Sequence, residues 1–356
     1  MNTNFWVSKK VLITGHTGFK GSWLSLWLQH LGADVYGYSS PVPVSEPHLY
    51  GIAQVSNNMD STYADILDFQ RLQSFIQKVR PEIIFHLAAQ PLVRESYIDP
   101  VATFSVNVMG TVNLLEIARH TESVKVVINI TTDKCYENTN NSIQGFMEND
   151  PVGGSDAYSA SKACSEIVTS AYERSFYSDS GKFLSSARAG NVIGGGDWAN
   201  DRIIPDIIRS IINKQPLNIR YPQAIRPWQH VLDCLNGYLL LAQSMWESGA
   251  KYIGAWNFGP GESSILSVAQ LIEECNKHLE NRLNVVYESN TQPYEATTLV
   301  LNSDKAAKLL DWNIMLPIHQ SIEWTMEWYS DYMSNRLSDL TLRQICQYEN
   351  INASRL

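Results

Sequence analysis

Cysteine is scarce and scattered: Cys135, Cys164, Cys234, Cys275 and Cys346, with no C-x-x-C pair among 356 residues. An odd, dispersed set of thiols points to a reducing compartment and excludes a disulfide framework. The eight histidines are equally isolated, so no metal-ligand spacing is present and no metal is expected. Positive charge is short, 27 Lys and Arg against 36 Asp and Glu. The net charge of −9 argues against nonspecific nucleic-acid binding. An anionic ligand must therefore find local arginines or lysines. No uninterrupted apolar run reaches the length that crosses a bilayer. The polar stretch Met1–Lys10 runs straight into the first strand and fits no signal peptide. These absences predict a cytoplasmic protein with no membrane partner. Hydrophobic content of 44% is that of an ordinary globule, large enough for two lobes.

What is present begins at Lys10–Leu31. Val11–Thr14 is a short run suited to a buried strand. Gly15, Gly18 and Gly21 follow at G-x-x-G-x-x-G spacing. Trp23, Leu24, Trp27, Leu28 and Leu31 recur at helical spacing, and Gly32 ends the helix. Strand, glycine turn and helix in this order open a dinucleotide-binding fold. Gly15 permits the tight turn, Gly18 lets backbone approach a pyrophosphate, and Gly21 lets helix pack on strand. His16 and Lys20 are bulky for such a loop. They either crowd the turn or, for Lys20, bring charge towards a phosphate.

The next strand, Ala33–Tyr38, ends without the acidic residue that commonly holds ribose hydroxyls. No Lys or Arg occurs between Lys20 and Arg71 either, so a 2′-phosphate lacks a partner and NAD is favoured over NADP. Asp65 is placed to accept from an adenine amino group, whereas Asp68 suits a helix N-cap. Pro81–Ala89 is a strand ending in small residues, Leu87-Ala88-Ala89, and its His86 reads as a core histidine. Gln90–Arg94 begins a loop at the carboxyl edge of the sheet, where ligands bind. Asn107 opens a helical segment, Asn107–Arg119. Val124–Ile130 delivers Thr131-Thr132-Asp133-Lys134 to the same edge. Cys135–Gly154 is long, polar and aperiodic, the pattern of a lid or a disordered loop.

Tyr158 and Lys162, four apart, share one face of the following helix. A tyrosine of ordinary pKa near ~10 is a poor base at neutral pH. A nearby ammonium and a positive nicotinamide favour its phenolate. Arg188 begins a Gly-rich run through Asn191 to Trp198, and Arg188, Arg202 and Arg226 are candidates for a diphosphate. Beyond Trp256–Gly259, helical patterns dominate. Ser267 with Gln270 forms a capping box for Ser267–Leu279.

Thr14-Gly15-x-x-Gly18-x-x-Gly21, Asp65, Leu87-Ala88-Ala89, Asn107, Thr132 and Tyr158-x-x-x-Lys162 together resemble the extended short-chain dehydrogenase/reductase family over roughly residues 7–330. Thr132-Asp133 narrows the likeness to its nucleotide-sugar 4,6-dehydratases. The runs Gly15–Trp23, Arg188–Trp198 and Arg226–Val231 are similar to the CDP-glucose branch, which supplies dideoxysugars of bacterial surface polysaccharides. Lys134 stands where dTDP-glucose enzymes carry glutamate, in keeping with that branch. Cytidine specificity is implied by the resemblance alone.

The resemblance implies an α/β fold, a doubly wound parallel Rossmann sheet with a smaller, mixed α/β C-terminal substrate lobe. The expected cofactor domain is 1–187 with a return segment at about 222–260, and the nucleotide-sugar lobe is 188–221 with 261–356. Implied NAD contacts are Gly15, Thr17, Gly18, Phe19, Lys20, Gly21, Asp65, Ile66, Leu87, Ala88, Ala89, Asn107, Tyr158 and Lys162. Gln90, Arg94, Arg188, Asn191, Arg202 and Arg226 are expected to touch substrate. Tyr158, helped by Lys162 and Thr132, would take the proton of the sugar 4-hydroxyl. Lys134 would act at carbon 5 as base or electrostatic stabiliser, with Glu137 and Glu148 as alternative bases. Asp133 would protonate the departing 6-hydroxyl. A 4-epimerase needs no such acid, and a noncatalytic NAD sensor needs neither Tyr158 nor Lys162. A homodimer is expected through the helices Thr103–Arg119 and Asp156–Ser175, from Val106, Val108, Leu114, Leu115 and Ile117 on one and Ala157, Ala163, Ile167, Val168, Ala171 and Tyr172 on the other.

Overall fold

A computed structural model describes residues 2–43, 45–138, 145–261, 264–280, 282–287, 299–336 and 339–353. The strands are β1 (Lys10–Thr14), β2 (Asp34–Ser39), β3 (Asp60–Tyr63), β4 (Ile83–His86), β5 (Val126–Ile130), β6 (Phe183–Ala189), β7 (Asn191–Ile193), β8 (Leu217–Ile219), β9 (Ile225–His230), β10 (Gly254–Phe258), β11 (Ile265–Ser267) and β12 (Val285–Tyr287). A seven-stranded parallel sheet runs in the order β10-β6-β5-β4-β1-β2-β3. Its central strands β4 and β5 are buried at every position, in keeping with sequences that are apolar except for His86 and Asn129. From β1 the chain winds first to β2 and β3, then returns to β4 on the other side. The carboxyl ends of β1 and β4 thus border a topological switch point, where such sheets bind ligands. Two smaller sheets, β11-β9-β7 and β12-β8, lie beyond it.

The helices that matter here are α1 (Phe19–His30), α2 (Phe69–Val79), α3 (Val93–Ile98), α4 (Pro100–His120), α5 (Ala157–Tyr172), α6 (Ile203–Asn213), α7 (Val231–Ser248), α8 (Val268–His278), α9 (Asp304–Leu310), α10 (Ile318–Met333) and α11 (Leu340–Ala353). Helix α1 is buried over most of its surface, including Trp23 and Trp27. It needs cover on the side away from the sheet. Helix α11 supplies it: Glu349 accepts from Trp27 Nε1 at 2.8 Å, and the Trp27 and Tyr348 rings sit 5.4 Å apart.

Local signals held where caps were readable. Asp68 accepts from Arg71 N at 3.1 Å, and Ser267 and Gln270 cap each other at α8. His86 is buried in β4, bonded to Thr14 and Thr111. The segment expected at Asn107–Arg119 is longer. Asp99 caps it from outside, and a wide turn at Ser105–Met109 joins its two halves into α4. That helix is long and apolar enough by length and composition to cross a bilayer, against the sequence expectation. Leu114, Leu115, Ile117 and Ala118 pack it into the protein's own core.

The loop after β5 is not simply polar. Cys135, Tyr136 and Phe146 form a small buried cluster with Leu299 and Leu301. Residues 139–144 of the expected lid lie outside the described residues. The apolar faces of α4 and α5 also divide differently from expectation. Leu114, Leu115, Ile117 and Ala163 are internal, whereas Val101, Phe104, Met109 and Ile167 face outwards beside Tyr97 and Ile98 of α3.

Candidate active site

One long cleft of about 1340 Å³ crosses the carboxyl edge of the sheet from Gly15 to Arg226. Its first half is made of backbone and small side chains. Gly15 has φ +75°, and a Cβ there would meet Ala88 N at 2.7 Å. A Cβ on Gly21 would strike Gly15 O at 2.2 Å. Gly18 heads α1 with no side-chain cap, so the first-turn N–H groups are presented to the cleft. This cradle fits a dinucleotide pyrophosphate. Thr17, Phe19, Lys20, Leu87, Ala88 and Ala89 line it. At the far end Asp65 and Ile66 line the wall, and Thr17 bonds Ser39 hydroxyl to hydroxyl at 2.7 Å. Asp65 Oδ1 accepts from Leu67 N at 2.9 Å, so one carboxylate oxygen shapes its own turn.

Two expectations about this half change. His16 does not crowd the loop. Its ring packs beneath Gly37, where a Cβ would come within 2.5 Å of it, and edge-on to Tyr50 at 5.2 Å. Burial lowers its pKa to about 4, which keeps it neutral. Asn107 does not line the cleft. Its Oδ1 accepts from Gln90 N at 2.8 Å and its Nδ2 donates to Ser161 Oγ at 2.9 Å. It therefore clamps the loop after β4 to α5, the helix that carries Tyr158.

Thr132, Asp133, Lys134, Tyr158 and Lys162 converge in mid-cleft. Asp156 fixes the start of α5 by accepting from Ser159 N at 2.9 Å, which aims Tyr158 and Lys162 inwards. Thr132 Oγ1 donates to Asp133 Oδ1 at 2.9 Å, and the Tyr158 and Thr132 hydroxyls are hydrogen-bonded. Lys162 Nζ donates to Ile130 O at 3.4 Å. Gly190 abuts Asp133, where a Cβ would lie 3.1 Å from Oδ2.

Burial rules the electrostatics. It pushes Tyr158 up to about 12, outweighing the Thr132 bond and the charge of Arg202. The expected lowering by the lysine ammonium is not found: the groups that lower Tyr158 are Thr132 and Arg202. Burial, then repulsion from Lys20, lowers Lys162 to about 8. Burial also raises the Asp133 carboxyl against the pull of Lys134, Thr132, Arg226 and Lys20. A buried carboxyl raised in this way can hold and deliver a proton.

The second half carries charged side chains that already have partners. Arg94 pairs with Asp201 at 2.7 Å and Arg202 with Asp197 at 3.0 Å, and both line the cleft with Gln90, Asn191 and Arg226. Arg188 does not belong with them. Its guanidinium is buried, donating to Glu166 at 2.7 Å, to Tyr136 at 2.6 Å and to the Glu148 carbonyl at 3.1 Å. Neither Glu137 nor Glu148 lines the cleft, and Glu148 Oε1 accepts from Asn257 N at 3.0 Å. Arg220 was missed. It lines the cleft 3.8 Å from Asp201, and the short alternating stretch Leu217–Arg220 was the available signal.

The GDP-mannose 4,6 dehydratase family matches residues 12–325. Over 338 residues the chain is 45% identical to a CDP-glucose 4,6-dehydratase of Salmonella typhimurium, covering 94% of each. It is 27% identical to a dTDP-glucose 4,6-dehydratase of Shigella flexneri, over 90% of this chain and 92% of that protein. Among solved structures, an epimerase of Methanothermobacter thermautotrophicus superposes with a TM-score of 0.80 at 26% identity, covering 94% and 96% of the two chains. A dTDP-glucose 4,6-dehydratase of Bacillus anthracis in complex with NAD, at 19% identity, shares the fold with a TM-score of 0.74 over 92% and 98%.

Proposed function

The chain belongs to the GDP-mannose 4,6-dehydratase family, and from that premise we infer that it is a CDP-glucose 4,6-dehydratase, an NAD-dependent hydro-lyase. It converts CDP-glucose into CDP-4-keto-6-deoxy-glucose and water. The observation that carries this reading is 45% identity to the Salmonella enzyme along nearly the whole of both chains. The site supports it through an acid that an epimerase has no use for: buried Asp133, bonded to Thr132 beside Tyr158.

NAD, when bound, supplies the hydride acceptor and donor that links oxidation at carbon 4 to reduction at carbon 6. The glycine loop, Asp65, Ile66 and Leu87–Ala89 hold it. Tyr158 would take the 4-hydroxyl proton as its phenolate, the form that the positive ring of bound NAD and the Lys162 ammonium would favour over the resting phenol, with Thr132 orienting the ring oxygen. Lys134 Nζ as the free amine takes the carbon 5 proton, or as an ammonium it stabilises the enolate that loss of this proton leaves beside the 4-keto group. Asp133 gives its proton to the departing 6-hydroxyl. Arg94, Arg202 and Arg226, with Gln90 and Asn191, hold the diphosphate and sugar. The nucleotide-sugar lobe is assigned to 188–221 with 261–356 and the cofactor domain to 1–187 with 222–260, except that α11 packs on α1 of the cofactor domain and β9 pairs within the smaller sheet β11-β9-β7.

The outward face of Tyr97, Ile98, Val101, Met109 and Ile167 supports a homodimer built on α3, α4 and α5. Light scattering at micromolar concentration giving the mass of one chain contradicts it. A cytoplasmic location and a place in bacterial surface-polysaccharide synthesis complete the proposal. The test of activity is incubation with NAD and CDP-glucose, dTDP-glucose, GDP-mannose or UDP-glucose, followed by mass spectrometry. Loss of one water from CDP-glucose is expected. Unchanged mass with altered sugar stereochemistry indicates an epimerase.

A further inference from the structure

Glu166 lies one turn beyond Lys162 on α5 and is 4% exposed. A buried carboxylate is costly unless every oxygen is satisfied. Here Oε2 accepts from Arg188 Nη2 and from Ser186 Oγ, each at 2.7 Å, and Oε1 accepts from Thr131 Oγ1. Thr131 immediately precedes Thr132 and Asp133, the pair that faces the sugar. Arg188 in turn holds Tyr136 and the Glu148 carbonyl, so the same ion pair pins both ends of the loop after β5. Thr131 and Tyr136 line the cleft, whereas Glu166, Arg188 and Ser186 do not and lie behind the reacting groups.

The charges around Lys162 explain why a carboxylate stands there. Lys20 repels it from α1. His86 approaches from β4, but burial lowers its pKa to about 3 and leaves it neutral. Cys135, behind the site, is held as a thiol by burial. Tyr158 is pushed up to about 12 and stays protonated at rest, and the Asp133 carboxyl is raised. Arg188 is a further cation, on the far side of Glu166. Residues at i and i+4 on a helix are neighbours. Glu166 is the carboxylate one turn along the same helix; its oxygens are taken by Arg188, Ser186 and Thr131, and Lys162 Nζ by Ile130 O, so its charge acts on Lys162 through space.

We propose that Glu166 is a positioning residue of the dehydration site: its buried carboxylate, held by Arg188 and Ser186, anchors the Thr131-Thr132-Asp133 segment and from one turn away favours the ammonium form of Lys162. The role of Lys162 rests on the functional reading above, but its charge state does not. The test therefore reads the amine directly. Trace labelling of the intact protein with acetic anhydride between pH 6 and 11, quantified on the peptide containing Lys162, follows its deprotonation without substrate or turnover. The midpoint of the parent protein is expected near 8.

Glu166→Gln keeps most of the hydrogen bonding and removes the charge. Its midpoint should fall by about one pH unit, a tenfold loss of ammonium at a given pH. The alkaline limb of kcat with CDP-glucose should move by the same amount. Glu166→Asp, which retains the charge, should keep the parent midpoint. An unchanged midpoint in Glu166→Gln overturns the proposal, as does an equal fall in Glu166→Asp. Where Glu166→Gln does not fold, Glu166→Gln with Arg188→Gln leaves no unpaired charge. Its midpoint should still fall, and a parental value there overturns the proposal. If the parent labels near 8 but turns over no CDP-glucose, the functional reading fails and the electrostatic proposal stands.

Discussion

The two halves of the cleft recognise ligand by different physics. The cofactor half uses backbone and missing side chains: Gly15, Gly18, Gly21 and the Leu87–Ala89 floor. The substrate half uses long charged side chains that are already engaged, Arg94 with Asp201 and Arg202 with Asp197. The first is rigid, because its shape is set by strand, turn and helix. The second is adjustable, because an arginine can exchange a carboxylate for a phosphate. Between the halves sit Thr132, Asp133, Tyr158 and Lys162, where burial sets the proton affinities.

The sharpest break of the comparison comes at that boundary. Tyr158→Phe should lower kcat by on the order of 10³–10⁴-fold, with no reduced cofactor appearing at 340 nm. Asp133→Asn should lower kcat by about 10²–10³-fold while reduced cofactor accumulates on the enzyme, because oxidation at carbon 4 needs no acid for the leaving group. Stopped-flow absorbance separates the two. A rate within a few-fold of the parent for Asp133→Asn makes Asp133 a substrate-positioning group instead.

A break within the rigid half should come next. Gly15→Ala forces a side chain onto φ +75° and into Ala88 N. Affinity for NAD, read by fluorescence titration, should fall by about a hundredfold, accompanied by a lower Tm. In the adjustable half, Arg202→Ala should raise KM for CDP-glucose by about tenfold with little change in NAD affinity. Arg188→Lys should instead lower Tm, because it disturbs a buried pair that no ligand reaches. A rise in KM confined to Arg188→Lys reverses the assignments of the two arginines.

A separate expected effect, on stability rather than on binding or turnover, concerns pH. His86 and His230 are buried with pKa values near 3. Their folded values lie below the unfolded 6.5, so their contribution is full above pH 6.5 and is lost as pH falls towards 3. At pH 5 each loss is about 2 kcal/mol. The Tm should drop steeply between pH 6.5 and 5, and a flat profile there contradicts the burial of these rings.

The sequence disclosed the rigid half well. Glycine spacing, the Asp68 and Ser267 caps and the Tyr158–Lys162 spacing are local patterns, and local patterns survive folding. Arg188 was misread because its partners, Glu166, Tyr136 and Glu148, come from other segments. Asn107 was misread for the same reason, since its bonds to Gln90 and Ser161 are tertiary. His16 seemed bulky only because Gly37, on the neighbouring strand, was not seen to make room for it. Helix α11 was missed as a separate element: its cover of Trp27 is a contact across more than 300 residues, with Glu349.

The central claim is that hydride leaves carbon 4 and returns to carbon 6 of the same sugar. CDP-glucose deuterated at carbon 4 tests it most directly, with the product read by mass spectrometry and proton NMR. The account predicts a 4-keto-6-deoxy product that has lost one water and carries the deuterium in its carbon 6 methyl group. Deuterium retained at carbon 4, or found only in released reduced cofactor, would contradict it.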